Sequence, residues 1–483
     1  MKRVPSSPQR VAALLVLLTS CKVGPDYVPP EMDAPPAWSA ELPGSWSTDQ
    51  GIEGPWWMSL QDARLNELMA RAFAASPRLA SAAARIEEVR AQRGLRLAEI
   101  FPGFEATGSV RRFRNSANGI NNNVSGFQFD IRTLYSLGLE TNWEIDFWGK
   151  LRRGLEAATG DFEAGIEDWR DALVLLQAEV ARAYVDLRLA QARIRISESN
   201  SVAQAKSLQL AEARFDAGLT SEADATRART LLLQTEASID SLATDAASAR
   251  NRLAVLVGEF PGEIDTWLGN GGDLPEFPAE LAVGLPHEML RRRPDVRGAE
   301  RRLAAQTARI GVAKSELLPS FSLNGSFGYD SASTGNLIES DSETFSIGPF
   351  VRWNVFAFGR VMRNIDTEKA RTQRLLFDYE DVVLRAAEEV ERALNGLANE
   401  GRRYQRLSSA RIQSARSVEI LRIEYEEGLA DYQSVLDAER THFQLEDDVA
   451  QARASNLSQF IALFESLGGG WQPPVVEQQI EAE

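Results

Sequence analysis

Two periodicities alternate along the chain. Tyr135, Leu137, Leu139, Thr141, Trp143, Ile145 and Phe147 alternate with Ser136, Gly138, Glu140, Asn142, Glu144 and Asp146, the period of two expected of a strand with one apolar and one hydrophilic face. From about residue 151 to 215 there is no proline, and Leu173, Leu176, Val180, Ala183, Leu187, Ala190 and Ile194 step by threes and fours. That spacing predicts the seam of a long coiled-coil helix, roughly 98 Å long at 1.5 Å per residue. Gly218-Leu219-Thr220-Ser221 ends it, and residues 222–257 predict a second helix returning antiparallel. Strand becomes helix within Trp143-Glu144-Ile145-Asp146-Phe147-Trp148-Gly149-Lys150.

Upstream, helices are expected at 62–75 and 79–100, separated by Pro77, and a strand at 104–113. Residues 115–126, rich in Asn and Gly, read as the loop of an antiparallel hairpin, so the following strand should start near 127. The whole pattern then recurs. Pro77 and Pro102 return as Pro294 and Pro319, 217 residues on; Trp143, Gly149, Gly218 and Gly258 return as Trp353, Gly359, Gly428 and Gly468, 210 residues on. The difference of seven falls between the strands, where loops tolerate length changes. The expected organisation is a signal segment (1–20), a Pro-rich leader (21–60), a first repeat (61–260) with two strands at about 104–147, a connector (261–285), a second repeat (286–470) with two strands at about 320–356, and a tail (471–483). Four two-faced strands cannot close a barrel, and lipid does not tolerate open sheet edges. Several chains must therefore share one. The expected fold class is mostly α with a transmembrane β-barrel, two tandem repeats and a long helical coiled coil.

The N-terminus changes where such a chain should sit. Lys2, Arg3 and Arg10 precede the apolar run 11–18, too short to span a bilayer and suited to a signal-peptide core. The run ends at Cys21, the chain's single cysteine, which resembles the acylated first residue of a bacterial lipoprotein; an ordinary secretory signal is the alternative. Lys22 follows in place of the aspartate that holds lipoproteins at the inner membrane. The net charge of −16 argues against a nucleic-acid partner. Two histidines, His287 and His442, stand apart, and neither a zinc-ligand spacing, a nucleophilic constellation nor a phosphate-binding glycine loop is found. No enzyme activity, cofactor or metal is expected.

Val283-Gly284-Leu285-Pro286, then Leu290-Arg291-Arg292-Arg293-Pro294-Asp295-Val296-Arg297, then Ala308-Arg309-Ile310-Gly311-Val312-Ala313-Lys314 resemble the central signature of the TolC-like outer membrane factors. So do Cys21 to Tyr27, Trp56-Trp57, Trp143 to Lys150 and Leu467-Gly468-Gly469-Gly470-Trp471. The likeness is to the lipoprotein branch that includes OprM and NodT. It implies a homotrimer in which each chain gives four strands to a twelve-stranded outer-membrane barrel continued by a periplasmic helical tunnel. It also implies an exit duct docked to a periplasmic adaptor and an inner-membrane transporter of the resistance-nodulation-division type. Under the resemblance Asp437 falls on a gate aspartate, with Ser434 where a second acid can stand and Asp431 nearby. The hairpin tips Gly218, Leu219, Thr220, Gly428, Leu429 and Ala430 would meet the adaptor. Glu140, Glu144, Asp146 and Arg352 would line the lumen, and Trp143, Trp148 and Trp353 would sit at the membrane interface. The leading expectation is efflux of small amphiphilic compounds through the outer membrane. Export of a secreted protein and a non-transporting envelope lipoprotein are the alternatives.

Overall fold

The computed structural model describes residues 22–31, 35–40, 46–47, 54–114, 131–269, 271–278, 281–282, 286–357 and 359–469. The signal segment, Cys21, the loop at 115–126, the expected strand start at 127, Val283 to Leu285, Gly470 and the tail lie outside the described residues, as does the side chain of His287. In chain order the elements are β1 (Trp46–Ser47), α1 (Ala63–Ala75), α2 (Pro77–Ala98), β2 (Phe104–Phe113), β3 (Arg132–Ile145), α3 (Lys150–Asp216) and α4 (Glu222–Leu256). There follow α5 (Asp265–Leu268), β4 (Leu281–Ala282), α6 (Pro286–Arg292), α7 (Pro294–Ser315), β5 (Ser320–Ser331), β6 (Glu343–Arg352), α8 (Arg360–Glu426) and α9 (Tyr432–Ser466).

The repeat is exact in the long helices. α3 and α8 have 67 residues each and α4 and α9 have 35 each, every one displaced by 210 positions, while α7 follows α2 by 217. Pro77 opens α2 instead of separating it from its neighbour, because a first-turn proline gives up no intrahelical hydrogen bond. The glycines that end α3 and α8 explain both hairpins. Gly218 and Gly428 take φ of +73° and +77°, and the amides of Leu219 and Leu429 reach back to the carbonyls of Arg214 and Glu424 at 2.9 and 2.7 Å, closing each helix through a left-handed residue.

Two compact units divide the chain. The first comprises Met1–Pro30, Ile86–Gly165 and Ala299–Asp378 and holds an antiparallel sheet in the order β2-β3-β5-β6. Its register sorts the side chains into alternating rows. Glu105, Glu140, Ser326 and Ser346 lie side by side in one row, and Ala106, Leu139, Phe327 and Phe345 in the next. One face is thus mostly polar, with Phe350, Leu134 and Phe113 as its apolar members. The other exposes Phe345 and Ile347 at 75% and 71%, an apolar surface that a water-facing sheet would not present. The four strands are 10, 14, 12 and 10 residues long, enough for the roughly 9–11 needed to cross a bilayer as tilted strands. β2 and β6 are left as open edges.

The second unit comprises Glu31–Arg85, Ile166–Gly298 and Tyr379–Glu483. Of the expected seam, Leu173, Leu176, Val180, Ala183, Leu187 and Ala190 are buried, and Ile194 is half-buried. Trp56 stacks on Phe464 at 5.1 Å and meets Phe460 edge-on at 6.0 Å, while Trp57 meets Phe73 at 5.5 Å; the Trp-Trp pair is a plug against α1 and α9. The leader and the connector join through a parallel pairing of Trp46 with Leu281 and Ser47 with Ala282. Gly258 and Gly468, repeat equivalents, both lie at positive φ. A Cβ on Gly258 would lie 2.3 Å from the Ala75 carbonyl oxygen, and one on Gly468 would lie 3.1 Å from the Arg293 Cα. Each lets the chain after the returning helix press on the residues just before the Pro77 or Pro294 helix. Among the described residues no helix is long and apolar enough to cross a membrane.

Candidate functional site

At the seam between sheet and helix, β3 ends at Ile145 and Gly149 turns the chain at φ +77°. Asp146 follows the last strand residue and lines one hollow with Glu144 and Arg352. Its carboxylate accepts the amides of Leu151 and Arg152 at 3.0 Å each and the Arg152 Nε at 3.1 Å. It closes the N-terminus of α3, where unpaired amides and the helix dipole favour an anion. Glu140, Glu144 and Arg352 lie on the polar face, Arg352 beside Ser320 and Glu144 beside Ser322. Lys150 donates to Glu144 at 3.0 Å.

That polar face is concave. A hollow of about 880 Å³ is lined by Glu105, Glu140, Asn142, Asn324, Ser326 and Ser346, among others. A second, of about 240 Å³, takes in Glu144, Lys150, Glu316, Arg352 and Arg360. A third, of about 630 Å³, shares Lys150 and Glu316 with it and continues along Gly154, Asp161, Arg309 and Glu368. The second hollow continues into the third through Lys150 and Glu316, so a largely hydrophilic surface passes from the end of the strands onto the helices.

The three seam tryptophans each donate an indole N–H to a backbone carbonyl: Trp143 to Ile100 at 2.9 Å, Trp148 to Pro319 at 2.8 Å and Trp353 to Leu317 at 3.0 Å. The first and third are the same bond in the two repeats, since Trp353 follows Trp143 by 210 and Leu317 follows Ile100 by 217. The carbonyls they satisfy belong to the chain leaving α2 and α7 for the strands.

The tips lie in the second unit. Asp431 accepts the Ser434 amide at 2.8 Å and the Ser434 hydroxyl at 2.9 Å, capping α9; these bonds hold its carboxyl below the usual aspartate range. Asp437 stands apart from that pair. It is exposed, accepts Gln433 Nε2 on both oxygens at 3.1 Å, and has Arg440 at 4.0 Å. Leu219 and Leu429 project at the turns, 68% and 80% exposed.

A tip residue without a role in the sequence reading is Glu439. Its side chain is wholly buried on α9, accepts Arg422 at 2.6 and 2.9 Å and the Ser207 hydroxyl at 2.9 Å, and so ties the second hairpin to the first. Tyr432 donates to the Ser207 carbonyl at 3.3 Å, and Arg214 donates to the Tyr425 carbonyl at 2.9 Å with its guanidinium 4.4 Å above the Tyr425 ring. Tyr425 and Tyr432 pack with Ala211, Ala225, Ala228 and Leu436 into a small core, and burial pushes both phenols up. One sequence signal was available: Glu212 and Arg229 of the first repeat correspond to Arg422 and Glu439 of the second, the same pair with its charges exchanged, and Glu212 and Arg229 are bonded at 2.5 Å. Among the described residues no group of three His, Cys, Asp or Glu could hold a metal ion.

The profile of the family described as "Outer membrane efflux protein" matches residues 68–259 and 285–469, the two repeats in turn. The chain is 30% identical over 467 residues to outer membrane protein OprJ of Pseudomonas aeruginosa, covering 95% of this chain and 96% of that protein. It is 29% identical over 472 residues to the toluene efflux pump outer membrane protein TtgF of Pseudomonas putida, again with 95% and 96% covered. Among solved structures, the outer-membrane channel OprN superimposes with a TM-score of 0.87 at 35% identity, over 94% of this chain and all of that one. The fold class is the expected one, a mostly helical chain with two tandem repeats whose four strands contribute to a shared barrel. On profile, relatives and fold alike, this chain belongs to the outer membrane efflux protein family.

Proposed function

We propose that the chain is the outer-membrane exit duct of a tripartite efflux pump, working as a homotrimer with one twelve-stranded barrel and a helical tunnel in the periplasm. Compounds pass through it down the path opened by an inner-membrane transporter of the resistance-nodulation-division type and a periplasmic adaptor. Cys21 carries the lipid anchor, and the tips Gly218 to Thr220 and Gly428 to Ala430 meet the adaptor. The observation that carries the reading is the two-faced sheet: an apolar face, a concave polar face continuing onto the helices, and two open edges. A second copy on each edge satisfies the unpaired backbone groups that lipid cannot, and the polar face then surrounds water. Small amphiphilic cargo fits a wall of mixed charge without a specific pocket, and the relative TtgF is by its name part of a toluene efflux pump.

Purified protein reconstituted in planar bilayers should give discrete channels, and deletion of the gene should sensitise the cell to hydrophobic drugs or solvents. A preparation that is trimeric but never conducts, together with unchanged susceptibility, overturns the proposal.

A further inference from the structure

The residues that follow the anchor cysteine do not trail from the first unit; they are seated in it. The Val23 amide donates to the Trp148 carbonyl at 3.0 Å, one residue before the turn that starts α3. Arg153 of α3, 1% exposed, donates to the Val23 carbonyl at 3.3 Å, to Asp26 at 2.7 Å and to Glu156 at 3.0 Å. Lys22 reaches Glu156 at 3.1 Å, and Tyr27 donates to Glu300 of α7 at 3.2 Å. Gly24, at φ +111°, lies so close to α7 that a Cβ on it would stand 2.4 Å from the Gly311 Cα; a Cβ on Gly311 would stand 2.6 Å from the Val23 carbonyl oxygen. Backbone meets backbone there, which only a glycine on each side permits.

The second repeat supplies the comparison. Gly94, Arg363 and Asp366 stand where Gly311, Arg153 and Glu156 stand, and Arg363 bonds Asp366 at 3.3 Å as Arg153 bonds Glu156. Among the described residues, a Cβ on Gly94 would meet nothing within 4 Å and Arg363 is 86% exposed. Among the described residues the same slot chemistry is covered in one copy and uncovered in the other. The leader also keeps clear of the hydrophilic wall. On α3 it takes Arg153 and Glu156, while the hollow takes Gly154, Ala158 and Asp161; on α7 it takes Gly311, while the hollow takes Arg309, Val312 and Glu316. At 100° per residue these are different faces of each helix.

We propose that the segment from Lys22 to Tyr27 is a positioning element, which holds the acylated residue before it at the strand–helix seam so that the anchor fixes the height of the sheet relative to the bilayer during insertion. A free tether would leave the sheet to find its depth by diffusion; a seated one ties lipid and seam together. The inference rests on the outer-membrane reading above and on acylation of Cys21.

The test uses the full chain with Cys21 intact. Gly24→Leu and Asp26→Ala alter the leader alone, so the body that receives it is untouched. In the parent, amide exchange at Val23 should be protected. Gly24→Leu should accelerate it about tenfold or more, with the α3 and α7 amides unchanged, and Asp26→Ala should do so to a smaller degree. Labelled palmitate should enter both variants as in the parent, yet newly made chains should reach the heat-resistant, membrane-inserted trimer several times more slowly. Unseated leaders with an unchanged insertion rate overturn the proposal, as does a Val23 amide that exchanges freely in the parent. Channels formed by the trimers that do insert should conduct normally; parent trimers that insert at the normal rate but never conduct would instead count against the duct.

Discussion

Glu439 makes the contact between hairpins calculable. In the proposed duct, opening the end formed by the hairpin tips parts the second hairpin from the first, and the Glu439 carboxylate joins them by its bond to Ser207 while paired with Arg422. Glu439→Gln keeps an acceptor but removes the charge, and puts an amide N–H₂ where Oε2 now has no partner. A hydrogen bond to a charged group contributes about 1.5–3 kcal/mol. Arg422 and Glu439 both stand on the second hairpin and stay paired when the tips part, so the Ser207 bond is the one that counts across the seam. Against a neutral acceptor that bond contributes about 0.5–1.5 kcal/mol instead, a weakening of about 1 kcal/mol per chain, which at 1.4 kcal/mol per decade shifts the balance between joined and parted tips about fivefold. Single-channel recording of the purified protein reads this as a larger share of time in the high-conductance level. Ser207→Ala, which deletes that bond, should shift the balance further, about tenfold or more. Glu212→Gln is the control: it breaks the exchanged-charge pair with Arg229, which is exposed and internal to the first hairpin, and should change the balance less than about twofold. Equal occupancy in Glu439→Gln and parent would refute the argument, and so would a Glu212→Gln effect as large as that of Glu439→Gln.

Four further outcomes are expected. Asp437→Ala should lower cation preference, read as a shift in reversal potential under a salt gradient, because in the proposed trimer three copies of this exposed carboxylate would stand at a narrow mouth and attract cations; identical traces remove it from the gate. Gly218→Ala should cost about 1–2 kcal/mol from its positive φ alone, whereas Gly258→Ala, whose Cβ meets the Ala75 carbonyl, should cost clearly more in thermal unfolding; equal losses would deny the contact. Burial, with Asp295 next in effect, raises the Asp171 carboxyl to about 6, so the folded chain binds a proton there that the unfolded chain has lost, and this contribution to stability falls as pH rises from about 4 to 6. Asp171→Asn should therefore stabilise the protein at pH 7.5 by up to about 3 kcal/mol and flatten that window in melting curves; a variant less stable than the parent at pH 7.5 contradicts the sign. Cys21→Ser should abolish incorporation of labelled palmitate, and persistent label would exclude Cys21 as the acylated residue.

What could be read from the chain was the chemistry that repeats, and what could not was the chemistry that differs between the copies. The helices and hairpins were legible because prolines and glycines punctuate them at fixed offsets, and a residue such as Gly218 acts through its own φ and its own turn. The strand faces were legible because alternation needs no partner. Asp146 marks the limit of alternation: parity put it on the polar side, where it lines a hollow with Glu144, while its bonds to the amides opening α3, one residue past the strand, were not in the pattern. Trp143 and Trp353 were visible as seam aromatics; that each closes the same carbonyl in its own repeat depends on residues 43 and 36 positions away, a pairing that neither composition nor period reports. Glu439 depends on Ser207, 232 positions away, and only the exchange of charges with Glu212 and Arg229 hinted that the pair had been put to a second use. Arg153 and Arg363 carry the same point. Their local sequences match, yet one is buried under the leader and the other faces water. A duplicated chain conserves in each copy what its backbone requires, and its function-bearing asymmetries appear where a long-range partner exists for one copy and not for the other.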